Sequence, residues 1–98
     1  MPLIDFAALN RAAQPRLCSL LPRWLPQGNQ QGAEWVALNP VRDDGRPGSF
    51  KVNLRTGRWA DFATGDKGGD AISLLAYLRG LSQAAAARLL ARELEVRS

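Results

Sequence analysis

The sequence predicts an α+β fold: a small antiparallel three-stranded sheet flanked by N-terminal and C-terminal helices. Three observations carry this. Alternating side chains at Glu34–Asn39, Ser49–Leu54 and Arg58–Phe62 read as strands. Thr56-Gly57 separates the second run from the third and reads as a hairpin turn. Apolar residues at helical spacing stand before the first run and after the last.

In chain order, Asp5 can cap a first helix running to about Gln14, with Phe6, Leu9 and Ala13 as its apolar stripe. Pro15 suits the first turn of a second helix. There Leu17, Leu20, Leu21 and Trp24 recur at i, i+3, i+4 and i+7. Pro22 interrupts them, since it lacks an N–H and crowds the preceding turn, so this helix should end near Leu21 or kink there. Pro26 to Gly32 is polar with two glycines and reads as the loop from helices to sheet.

In the first strand, Trp35 and Ala37 point one way, Val36 and Leu38 the other. Pro40 to Gly48 reads as a loop, rich in turn formers. In the second strand Phe50, Val52 and Leu54 share a face. The sheet is then a meander with one face on the helices and the other open. Asp70 can cap a helix carrying Ala71, Leu74, Leu75 and Leu78. Gly80 ends it and Ser82 caps the last helix, where Leu89, Leu90 and Leu94 form one stripe and Ala84, Ala87 and Ala91 another. The chain, 1–98, is read as one domain: a helical segment 1–26, a β-meander 34–63 and a helix pair 69–96.

Composition narrows the function. Thirteen basic against nine acidic residues give +4, and all the basic residues but Lys51 and Lys67 are arginine. That balance suits phosphate or carboxylate contacts. There is no histidine, and Cys18, set among leucines, reads as a buried core thiol. No intrachain disulfide or Cys/His metal cluster can form. No carboxylate pair has spacing for acid–base work, so the expectation is a non-enzyme without cofactor. With no signal region and no apolar run of membrane length, the expected location is the cytoplasm, with no membrane partner.

Two places could hold nucleic acid. Gly65 to Asp70 lacks the Gly-Lys-Ser/Thr ending of a phosphate loop, yet its amides open a helix beside Lys67. A backbone phosphate could sit there; the alternative is a plain capped helix start. The open sheet face is the second place. With Phe50, Val52 and Leu54 inward, Lys51, Asn53 and Arg55 point out. Arg58 and Trp59 point opposite ways, and one of them joins that face. Lys51, Arg55, Arg58 and Trp59 together would make a cationic stacking platform for single strands. The alternative is a solvated basic face with Trp35 or Trp59 buried.

Pro47-Gly48-Ser49-Phe50 at a strand start, Gly68-Gly69-Asp70-Ala71-Ile72 at a helix start and the Gly80-Leu81-Ser82 break follow one another in a characteristic order. Over about residues 34 to 96 the chain resembles the N-terminal zinc ribbon (Cys-His-Cys-Cys type) of bacterial, phage and plasmid DNA primases. Where that family carries metal ligands, this chain has Asn39, Arg42, Asp61 and Thr64. None supplies a thiolate or imidazole, so the resemblance implies a metal-free ribbon. Arg42 paired with Asp61 could bridge the two loops that a metal joins in the family; otherwise both are solvated loop charges.

The resemblance implies contact with template DNA through the sheet and adjacent loops. The expected function is therefore a non-catalytic primase-type domain of a phage, plasmid or integrated element. It would bind single-stranded DNA weakly, through Lys51, Arg55, Arg58, Trp59 and Lys67, and help a replication protein engage its template. The alternative is a protein–protein module docking on a primase, helicase or other partner.

Overall fold

The computed structural model describes residues 4–42 and 48–95. Helix α1 (Phe6–Ala13) leads through a 3₁₀ turn (Gln14–Arg16) into α2 (Leu17–Trp24). Five strands follow: β1 (Gly28–Gln31), β2 (Glu34–Ala37), β3 (Phe50–Asn53), β4 (Trp59–Asp61) and β5 (Lys67–Gly68). Helices α3 (Ala71–Arg79) and α4 (Gln83–Glu95) complete the order. The architecture is α+β, and the sheet is an antiparallel meander in the order β1-β2-β3-β4-β5.

The sheet thus has five strands where three were expected. β1 lies inside the stretch 26–32 that reads as a loop. Its residues are polar and mostly exposed, so they show no alternation. Pairing with β2 makes it a strand, through a two-residue connection whose first residue, Gly32, has φ +63°. β5 is only two residues long and falls inside the glycine-rich helix approach.

Local signals set the helix ends. The Asp5 carboxylate accepts from Ala8 N at 3.0 Å, and Asp70 and Ser73 form a reciprocal capping box on α3. Gly80, at φ +65°, closes α3, and Ser82 Oγ accepts from Ala85 N at 3.1 Å ahead of α4. Helix α2 differs from expectation: it runs through Pro22 to Trp24, and Leu25 N still donates to Leu21 O at 2.7 Å. Pro22 sits on the solvent side, where its missing N–H costs least. Burial of Leu20, Leu21 and Trp24 holds the turn around it. Cys18 is exposed, not a core thiol. It follows Leu17 by about 100° around the helix, off the buried stripe.

One hydrophobic core joins all four helices to one sheet face. It takes Leu17, Leu21, Phe50, Val52, Leu74 and Leu90, among others. Helix α4 is tied to the N-terminal segment by Trp24 Nε1 donating to Glu93 Oε1 at 3.0 Å and Arg16 Nη1 donating to Leu94 O at 2.6 Å. Each sheet tryptophan covers a glycine of an outer strand. A Cβ on Gly28 would lie 2.6 Å from Trp35 Nε1, and one on Gly68 would collide with Trp59 Nε1 and stand 2.6 Å from Ser73 Oγ. No helix of the described residues is long and apolar enough to cross a membrane.

Candidate nucleic-acid interface

Register decides what the open sheet face presents. Val52 pairs with Trp59 and Lys51 with Ala60, so Trp59 lies on the core side with Val52. Trp59 is only 5% exposed, its Nε1 donates to Ser73 Oγ at 3.0 Å, and its ring packs 4.7 Å from that of Tyr77. It is a core residue, and the expected base-stacking role does not fit it. Arg58 is the member of that pair on the open side.

An open depression of about 640 Å³ occupies this face, bordered by Glu34, Lys51, Asn53, Arg58, Phe62 and Lys67. The aromatic ring here is Phe62, 71% exposed, with Lys51 Nζ 5.7 Å from its centroid. Phe62 N donates to Ser49 O at 2.8 Å, which extends the β3–β4 ladder by one pair and sets the ring on the Lys51 side. The sequence held the signal: Phe62 shares strand parity with Arg58 and Ala60. Arg55 does not join the group. It lies at the turn after β3, beside Arg11, Gln14 and Cys18, where its carbonyl accepts from Gln14 Nε2. Lys67 borders the depression together with Gly68 and Gly69 on the approach to α3. Two amides of that helix start have side-chain partners: Ser73 N donates to Asp70 Oδ1 at 2.8 Å and Ile72 N to Asn10 Oδ1 at 3.1 Å. Gly68 is explained by packing under Trp59.

Behind this face the loop of Asn39 and Arg42 and the loop of Asp61 and Thr64 are joined by a polar bridge built on the buried Asp61. Arg42 Nε donates to Asp61 Oδ2 at 2.7 Å and Arg42 Nη2 to Asp61 Oδ1 at 3.3 Å. Nη2 also donates to Ser49 Oγ at 3.0 Å. Asn39 Nδ2 donates to Asp61 Oδ2 and to Tyr77 Oη, both at 2.9 Å. Tyr77 Oη donates to Asp66 Oδ2 at 2.8 Å. Each loop is also closed on itself in the same way. Val41 N donates to Asn39 Oδ1 and Ala63 N to Asp61 Oδ1, both at 2.9 Å.

Thr64 stays out of this bridge. Its N donates to Asp61 O at 3.2 Å, and its hydroxyl accepts from Asp66 N at 3.3 Å, so it shapes the turn. Ser49, Asp66 and Tyr77 were not foreseen. Tyr77 had a signal, because it stands three residues after Leu74 on a buried helix, where a phenol needs a polar partner.

The Arg42 guanidinium holds the Asp61 carboxyl well below the ordinary carboxylate range. Burial opposes this, and the Asn39 amide and Ala63 N–H reinforce it. Burial pushes the Tyr77 phenol up; the Asn39 amide opposes the shift and Asp66 adds to it. Among the described residues no group of three or more His, Cys, Asp or Glu could hold a metal ion, and no buried side-chain polar atom lacks a partner. The expected Pro47 at the strand start lies outside the described residues. No family model matches the chain, and no curated protein matches it.

Proposed function

We propose that the chain is a zinc-free relative of the primase zinc ribbon: a non-catalytic module that binds single-stranded DNA. In this reading it helps a replication protein of a mobile element, a primase or helicase, engage its template. One observation carries the binding reading. The open sheet face combines an exposed aromatic ring, Phe62, with Lys51, Arg58 and Lys67 around one depression. A ring takes a base and the cations take the flanking phosphates, which is how single strands are held without covalent chemistry. The bridge between the loops then does what a metal does in the resembling family: it fixes the strand ends that carry the face. Asn39, Arg42 and Asp61 form it, and Thr64 shapes its second loop.

The test is fluorescence anisotropy of a labelled single strand at two salt concentrations. Binding that weakens steeply with salt supports the reading, because phosphate contacts release counterions. Absence of salt-dependent binding at micromolar protein sinks it and leaves the docking-module reading in its place.

A further inference from the structure

The depression that borders Phe62 contains a feature that a plain phosphate platform does not need: a carboxylate. Glu34 on β2 lies directly opposite Asn53 on β3, and both border the depression. Directly opposed residues on neighbouring strands carry their Cβ atoms about 5 Å apart. Glu34 forms no ion pair among the described residues, although Lys51, Arg58 and Lys67 border the same space. The orientation of the Asn53 amide is settled by its neighbours. Its Oδ1 accepts from Arg55 N at 2.8 Å and Thr56 N at 3.0 Å, both of which are donors. The NH₂ half is left without a partner among the described residues. The two side chains thus present one donor beside a pair of acceptor oxygens.

We infer that Glu34 and Asn53 read the Watson–Crick edge of an unpaired guanine held in this depression. This rests on the single-strand reading above. Guanine alone shows an acceptor, O6, followed by two adjacent donors, N1–H and N2–H₂. Asn53 Nδ2 donates to O6, and the Glu34 carboxylate accepts from N1 and N2. Thymine offers one donor between two carbonyls, which a carboxylate repels. Cytosine and adenine place a ring acceptor where Glu34 needs a donor. Unpaired bases expose this edge, so the pairing requires a single strand.

The experiment compares a thymidylate oligomer with the same oligomer carrying one central guanine, by anisotropy at fixed salt, using the whole chain. A good bidentate contact discriminates by about tenfold or more, so the guanine strand should bind at least that much tighter. Glu34→Gln should abolish the preference while keeping or raising affinity for thymidylate, since a negative charge leaves the cationic face. Asn53→Asp keeps the oxygen that closes the turn but exchanges the donor for a negatively charged acceptor, so both strands should bind more weakly and the ratio of the two affinities should fall towards one. Unfolding midpoints are measured for both variants, and either folded variant suffices for the test. Equal, salt-dependent binding of both strands by the wild type would overturn the guanine assignment and leave the single-strand reading standing. So would a preference that survives in the folded variants. Absence of salt-dependent binding to either strand would overturn both.

Discussion

Arg42 and Asp61 meet in a two-pronged ion pair, with Nε on Oδ2 at 2.7 Å and Nη2 on Oδ1 at 3.3 Å. The two partners are unequal. The Asp61 side chain is 0% exposed, whereas that of Arg42 is 30% exposed. The carboxylate is the anchored half, closed in further by Asn39 and Ala63. The guanidinium reaches it from a loop 19 residues earlier and keeps one side in water. A buried charge pair adds little over a well-packed apolar one, but breaking it from one side is costly.

Removing either partner should therefore destabilise strongly, and not equally. Arg42→Ala strands a buried carboxylate and should cost about 3–5 kcal/mol. Asp61→Ala leaves Arg42 able to turn to water and should cost less. In a double-mutant cycle by urea unfolding, the double variant should cost less than the sum, with about 0.5–3 kcal/mol of coupling. Strict additivity would mean that the pair contributes nothing jointly.

The same residues set the pH limits. Asp61 holds its proton less tightly folded than unfolded, so its contribution is present above the ordinary carboxylate pKa. That contribution is lost as pH falls below about 4, and the loss continues towards the depressed folded value. Tyr77 is raised, so its contribution is present below the ordinary phenol pKa and is lost as pH rises beyond about 10. Melting temperatures across pH should fall at both ends. Asp61→Asn should flatten the acid limb, and Tyr77→Phe the alkaline one.

Gly68 and Gly69 stand side by side with opposite expectations. A Cβ at Gly68 collides with Trp59 and Ser73, whereas one at Gly69 meets nothing within 4 Å. Gly68→Ala should cost about 1–3 kcal/mol through overpacking. Gly69→Ala should leave unfolding unchanged or improve it slightly. Equal effects in thermal melts would refute the account of Trp59 packing.

Binding and folding should separate at the two aromatic residues of β4 and its extension. Phe62→Ala should weaken single-strand binding by ~1–3 kcal/mol with the melting temperature held. Trp59→Ala should instead lose about 3–5 kcal/mol of stability. Lys51→Ala, Arg58→Ala and Lys67→Ala should each flatten the salt slope by about one ion. Arg55→Ala, away from the depression, should not change it.

Zinc should be irrelevant to folding. Elemental analysis should find no stoichiometric Zn²⁺, and a chelator should leave the melting curve unmoved, unlike ribbons that unfold without metal. One tightly held zinc per chain would refute the proposal that Arg42 and Asp61 stand in for a metal.

Periodicity and capping chemistry by themselves determined the ends of the capped helices and the existence of strands β2, β3 and β4. Asp5, Asp70, Gly80 and Ser82 mark helix ends through bonds made within a few residues. Phe50, Val52 and Leu54 declare the core face by alternation alone. Only the resemblance to the primase ribbon pointed to Asn39, Arg42, Asp61 and Thr64, and Arg42 with Asp61 was then legible as a complementary pair. Only the tertiary structure decided the rest. Strand register put Trp59 inward beside Val52 and left Phe62 to the open face, because a shift of one residue exchanges the two faces. β1 is a strand only because β2 supplies its hydrogen bonds, and its polar residues carry no pattern of their own. Helix α2 survives Pro22 because Leu20, Leu21 and Trp24 are buried against segments distant in sequence. Side-chain pattern reports which residues avoid water; which backbone groups meet, and which face a border residue takes, is set by contacts between elements far apart in the chain.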